Sequence, residues 1–247
     1  MSHPAFALAL AAALSLGMAA CAAPASTDPP SVLLFAGTGT SANDVTAVEG
    51  MLKQMRVEYA TATSPQLNGM SKEQLMRYRL LIVPGGNFIM MGDSLTPTAT
   101  ATMHEAVQDG LNYLGICAGA FLAGRASYRS LDLTSGVRFG FYSAAQRGIR
   151  KTAVMVSRVD GPPLDQYWED GPQLQGWGDV VAKYPDGTPA VAQGMSGQGW
   201  VILAGIHPEA PERWRRGISF TTRASVDNAY AAVLIDAALR GTRLPHY

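Results

Sequence analysis

The chain has 247 residues, 19 basic and 19 acidic side chains and a formal net charge of zero, and 47% of it is hydrophobic. That length suits one large domain or two small ones, with enough apolar residues for a full core. A neutral chain without a basic cluster argues against nucleic acid as a partner.

The first twenty residues contain no Lys, Arg, Asp or Glu. Ala5 to Ala20 is an Ala/Leu-rich run, short for a membrane span and suited to the apolar core of a signal segment. It ends in Met18-Ala19-Ala20-Cys21, which resembles a bacterial lipobox. The resemblance implies that Cys21 is lipidated and that residues 22–31, rich in Ala, Pro and Ser, are a tether. Ala22 after the cysteine suggests outer-membrane retention, in a periplasmic, envelope-anchored protein. An ordinary signal cleavage near the same point and an N-terminal core helix are the alternatives. The expected organisation is a signal segment over 1–20, a lipidated tether over 21–31 and one domain over 32–247.

Ser31 to Phe35 reads as a strand, followed by the glycine-rich turn Ala36-Gly37-Thr38-Gly39. Val45, Val48, Leu52 and Met55 recur at helical spacing from Asp44 to Met55. Arg56 to Ala60 reads as a short strand, and Ser71-Lys72-Glu73-Gln74 has the capping-box pattern of a helix start. Leu80 to Val83 is a buried strand stopped by Pro84-Gly85-Gly86. Thr98 to Gln108 is a helix closed near Gly110, and Leu111 to Ile116 is a strand running into a helix from Ala118 to Ala123. Apolar strands without alternation, separated by helices, predict a parallel sheet in a three-layer α/β/α sandwich.

The second half predicts short strands at 136–141, 152–156, 180–184 and 190–193. These form a partly antiparallel extension. Trp200 to Ala204 returns to a buried strand, and Ser225 to Arg240 is a closing helix with Gly241 after it.

Gly115-Ile116-Cys117-Ala118-Gly119 sits where a strand turns into a helix. Glycine two positions to each side of a nucleophile is the pattern of a nucleophile elbow. The helix N-terminus aimed at the sulfur favours thiolate. The alternative is a small buried cysteine in a Gly/Ala-rich turn. A catalytic cysteine needs a base and a group that orients the base. His207 follows a strand end, in Gly205-Ile206-His207-Pro208-Glu209, and Glu209 two residues on can share its side of an extended segment. Pro84-Gly85-Gly86-Asn87 is a turn whose Gly86 N–H, with that of Ala118, can face a developing oxyanion.

These segments resemble the class I glutamine amidotransferase superfamily. More closely they resemble the amidotransferase-like domain at the N-terminus of biotin protein ligases, here without a ligase domain. The supporting segments are Val83 to Gly86, Tyr113 to Ala120, Tyr167 to Pro172, Tyr184 to Ala190, Gly197 to Gly199 and His207 to Glu209. The resemblance implies a flavodoxin-like sheet, Cys117 as nucleophile, His207 as general base and later acid, and Glu209 as its orienter. It implies an oxyanion hole of Gly86 and Ala118, and attack on an amide carbonyl through a thioester. No cofactor is implied.

Asn87, Tyr167 and Trp168 are candidate substrate contacts, the last two in a Gly/Pro-rich stretch read as a loop over the elbow. The alternative is aromatic packing of that loop onto the body. The His and Cys spacings give no metal site, and Gly37-Thr38-Gly39 lacks the pattern of a dinucleotide fold. The expected activity is cleavage of a C–N amide bond in a small molecule or peptide. Two alternatives stand beside it: a catalytically silent ligand-binding or scaffolding lipoprotein, and a thiol-based redox or aldehyde-scavenging role.

Overall fold

The structure, a computed structural model, describes Met1 and residues 31–247. Most of the expected signal segment, the expected lipidation site Cys21 and the tether up to residue 30 lie outside the described residues.

In chain order the first half holds β1 (Val32–Phe35), α1 (Ala42–Gln54), β2 (Tyr59–Ala62), α2 (Ser64–Asn68), α3 (Lys72–Leu75), β3 (Leu80–Val83), α4 (Phe88–Ser94), α5 (Pro97–Gln108), β4 (Asn112–Ile116) and α6 (Ala118–Ala123). The second half holds β5 (Gly140–Phe141), β6 (Lys151–Arg158), β7 (Leu164–Glu169), β8 (Pro172–Gln173), β9 (Asp179–Lys183), β10 (Pro189–Ser196), β11 (Gly199–Ala204) and α7 (Ala224–Arg240).

Nine strands form one sheet in the order β2-β1-β3-β4-β11-β10-β9-β6-β7, with β5 and β8 paired separately. The first five run parallel, and β10, β9, β6 and β7 add antiparallel pairs. This is an α/β fold with a mostly parallel central sheet and an antiparallel extension, as the sequence pattern predicts.

Two apolar layers sandwich the sheet. Leu34, Ile82, Leu114 and Ile202 pack with Val48 and Leu52 of α1 and Leu234 of α7. Leu33, Leu81, Tyr113 and Leu203 pack on the other face with Leu75, Met103 and Phe121. Successive strand residues point to opposite faces, and both faces are covered. The strands therefore read as unbroken apolar runs.

Several boundaries differ from expectation for identifiable reasons. Arg56, with φ of 56°, turns the chain out of α1, so β2 starts at Tyr59 rather than Arg56. Helix α4 is not apparent from apolar spacing; it starts because the Asn87 side chain accepts the N–H groups of Ile89 and Met90. The stretch read as a loop around Tyr167 is strand β7, in register with β6 from Lys151↔Glu169 to Val156↔Leu164. The strand expected over 136–141 contracts to Gly140–Phe141. Among the described residues, no helix is long and apolar enough to cross a membrane.

Candidate active site

Cys117 stands between β4 and α6 with φ 51° and ψ −103°. A non-glycine residue in this region is strained, and such strain persists only where the surroundings enforce it. Three contacts enforce it here. The Cys117 N–H donates to the Ala204 carbonyl at 2.7 Å, tying the turn to the end of β11. A Cβ on Gly115 would lie 2.6 Å from the Gly119 carbonyl oxygen, and one on Gly119 would strike the Val83 carbonyl. The two glycines let the strand, the turn and α6 pack closely enough to hold the elbow.

The same β11 end delivers His207. His207 follows Ala204 by three residues, and its backbone N–H donates to the Tyr167 carbonyl at 2.8 Å. The ring is buried, edge-on to Tyr167 and Trp214. Nδ1 donates to Glu209 Oε1 at 2.9 Å. Asp44 Oδ1 lies 3.1 Å from the same nitrogen. Nε2 is buried without a hydrogen-bond partner and is the nitrogen left free for the sulfur. The thiol donates weakly, at 3.4 Å, to the Glu169 carbonyl.

Asp44 was not among the candidates read from the sequence. It comes from the first turn of α1, where its N–H is capped by the Ser41 side chain. The α1 N-terminus is held against the Gly85-Gly86 turn by Ser41 N–H to Gly85 O and by Asn87 N–H to Gly39 O. Gly85 makes the approach possible, because a Cβ there would strike Asp44 Oδ1 and lie 2.7 Å from His207 Cε1. The only sequence signal was an acidic residue early in a helix following a glycine-rich turn, which is too common to single out.

The charges follow from this packing. Burial works against a charged His207. Its charge interactions with Cys117 and Glu209 and the hydrogen bond of Asp44 outweigh it and hold the imidazole well above its ordinary range. Burial raises the carboxyl of Glu209, which stays above its ordinary range despite His207. Asp44 is also pushed up by burial, but its hydrogen bond and charge interaction with His207 prevail and lower it. Asp44 therefore keeps its negative charge beside the ring.

The sequence spacing gives no metal site, yet the fold gathers Asp44, His207 and Glu209 with donor atoms within 4.8 Å of one another. Their chemistry fits a divalent cation. Such an ion would need the Nδ1 lone pair, so metal binding and the proton donated to Glu209 exclude each other.

Cys117, His207, Asp44 and Gly86 line one cavity of about 400 Å³. The Gly86 N–H takes no part in the backbone bonds between its turn and residues 39–41. Ala118 is the first residue of α6, where N–H groups have no partner inside the helix. Neither N–H has a partner among these backbone bonds. Glu209 sits behind His207, out of the cavity, as an orienter requires.

The expected substrate contacts divide. Asn87 lines the cavity, although its Oδ1 is engaged in capping α4. Trp168 is fully buried, with its indole N–H on the Gly171 carbonyl, and cannot reach a substrate. Tyr167 is a wall behind His207 whose hydroxyl donates to Glu169 Oε2 at 2.6 Å. Both aromatic residues belong to strand β7, at the edge of the sheet, rather than to an overhanging loop. The residues of this stretch that line the cavity are Glu169 and Asp170.

The chain matches the family described as Biotin-protein ligase, N terminal, over residues 30–150. The match contains Asp44, Gly85 and Cys117 and ends before His207 and Glu209. Among solved structures, one described as a glutamine amidotransferase is 18% identical with a TM-score of 0.63, over 86% of this chain and 100% of that one. A glutamine amidotransferase from Thermotoga maritima is 14% identical with a TM-score of 0.53, over 85% of this chain and 98% of that one. A putative GMP synthase protein from Thermoplasma acidophilum is 12% identical with a TM-score of 0.52, over 86% of this chain and 97% of that one. None of the curated proteins compared with the chain matches it in sequence. At these identities the structural likeness establishes the fold, and the fold is glutamine amidotransferase-like.

Proposed function

We propose that this protein is a cysteine hydrolase that cleaves a C–N amide bond of a small molecule or peptide. The observation that carries the reading is the convergence, in one cavity, of an elbow cysteine with a histidine whose far nitrogen is held by two carboxylates. His207 Nε2 takes the thiol proton, and the sulfur attacks the amide carbonyl. The N–H groups of Gly86 and Ala118 receive the charge that develops on oxygen. His207 returns the proton to the departing nitrogen, leaving a thioester. Water, deprotonated by the same nitrogen, adds to the thioester and releases the acid and the free thiol. The lipobox-like segment ending in Cys21 supports placing this chemistry in the cell envelope; loss of acyl labelling in Cys21→Ala is the corresponding check.

The test is the pH dependence of Cys117 alkylation by iodoacetamide, followed by intact mass in the wild type and in His207→Ala. A thiol that reacts well below the free-cysteine pKa of about 8.5, and slows when His207 is lost, supports the reading. Turnover of an amide panel that disappears in Cys117→Ala then establishes it. A slow thiol indifferent to His207 overturns it in favour of a ligand-binding role for the same cavity.

A further inference from the structure

The catalytic cavity does not end at the elbow. Phe88 and Phe141 line it and also line a second groove of about 110 Å³, whose wall includes Phe121 and Tyr128. The rings form a cluster, with centroids 4.4 Å apart for Phe88 and Phe121, 5.0 Å for Phe121 and Phe141, and 5.2 Å for Phe88 and Tyr128. Phe121 lies four residues after Cys117 on the short helix α6. It is therefore one turn, about 5–6 Å along the axis, from the nucleophile. The cluster is not closed on itself. Phe141 is 42% exposed and the neighbouring Ile89 on the cavity rim is 48% exposed. Large apolar side chains left open beside a polar reaction centre mark a surface built to be covered.

The charge around the cavity is asymmetric. Glu169 and Asp170 line one side, where Asp170 is already paired with Arg150 at 2.6 Å. Arg125 and Arg138 line the far groove. Neither has a carboxylate partner among the described residues. A substrate carboxylate is drawn to the arginine end and repelled from Glu169.

Resting on the hydrolase reading above, we propose that the substrate is an amide whose nitrogen carries an aromatic ring with a carboxylate on the side away from the scissile bond, as in an N-acyl aminobenzoate. The ring lies against Phe88 and Phe141, which line both the cavity and the groove, the carboxylate points toward the groove of Arg125 and Arg138, and the scissile carbonyl lies over Cys117. A small polar amide would leave the aromatic groove empty.

Chloroacetyl probes test this without turnover. The Cys117 thiolate attacks the CH₂ carbon, the C–S bond forms, the C–Cl bond breaks and chloride departs. 4-(Chloroacetamido)benzoate is expected to alkylate Cys117 about ten- to a hundredfold faster than chloroacetamide at low concentration, the value of burying one ring, and to saturate. Phe141→Ala should cut the ratio of the two rates. Arg125→Ala with Arg138→Ala should erase the advantage of 4-(chloroacetamido)benzoate over its carboxamide. Thermal melting of each variant separates these effects from unfolding. Equal rates for all probes, with fast and His207-dependent chloroacetamide labelling, overturn the aromatic-carboxylate assignment alone. Slow labelling by every probe, indifferent to His207, overturns the hydrolase reading itself.

Discussion

Asp44 Oδ1 lies 3.1 Å from His207 Nδ1, on the ring nitrogen that also donates to Glu209. One imidazole N–H thus faces two buried carboxylates from opposite ends of the chain. Burying that much negative charge is costly unless the ring is protonated. The pair of carboxylates therefore favours an imidazolium.

Removing Asp44's charge should lower the pKa of His207 while Glu209 remains in place. In Asp44→Asn the ring is expected to lose its proton at lower pH than in the wild type, read by NMR titration of the His207 signals. Cys117 alkylation should change its pH profile in step, and Asp44→Glu should recover part of the shift. An unaltered titration in Asp44→Asn would show that Asp44 only packs against the ring.

Gly85 is the gap through which Asp44 reaches His207. Gly85→Ala should force the two apart, destabilising the fold by about 1–3 kcal/mol and slowing Cys117 alkylation. Gly50 is a useful control, since a Cβ there meets nothing within 4 Å and the residue is exposed inside α1. Gly50→Ala should stabilise by about 0.5–1 kcal/mol with Cys117 reactivity unchanged. Denaturant unfolding and alkylation rates check both; a harmless Gly85→Ala would contradict the close approach.

The elbow strain can be measured directly. Glycine accepts φ 51° without the penalty that any L side chain meets. Cys117→Gly is therefore expected to be more stable than Cys117→Ala by about 1–3 kcal/mol, reversing the usual ranking. A higher melting temperature for the alanine variant would mean that the elbow is relaxed.

A second buried cluster gives a pH dependence away from the cavity. Asp227 accepts hydrogen bonds from Gln166 and Thr222 and lies 3.4 Å from Arg215. Burial raises its pKa to about 6, against the pull of Arg215. The folded state then binds more protons than the unfolded chain between about pH 4 and pH 6, so this group's contribution to stability falls as pH rises through that window. Unfolding free energies of the wild type minus those of Asp227→Asn should decline between about pH 4 and pH 6.5. A difference that stays flat or rises would show that the carboxyl titrates normally in the fold.

Much of this protein was legible because its signals are local. Apolar runs such as Leu80 to Val83 and the capping box at Ser71 to Gln74 act within a few residues, and both formed where the pattern placed them. Gly-Ile-Cys-Ala-Gly marks a turn whose strain and close packing need only five residues. His207 and Glu209 were readable as a pair because two positions of extended chain carry both to one side. Other features depend on long-range register. Tyr167 and Trp168 sit in a Gly/Pro-rich neighbourhood, and only their pairing with β6 makes that segment a strand and buries Trp168. Asp44 is 163 positions from His207, and no local pattern couples them. The parallel sheet sets β1, β3, β4 and β11 side by side, so the α1 start, the Gly85 turn, the elbow and the His207 loop all open at one edge. Local signals alone set most of the elements, the turn at Cys117 and the pairing of His207 with Glu209. Long-range packing brought a second carboxylate to the imidazole and set an aromatic groove beside the cavity of Cys117, because both arise from chain segments that meet only when the sheet is complete.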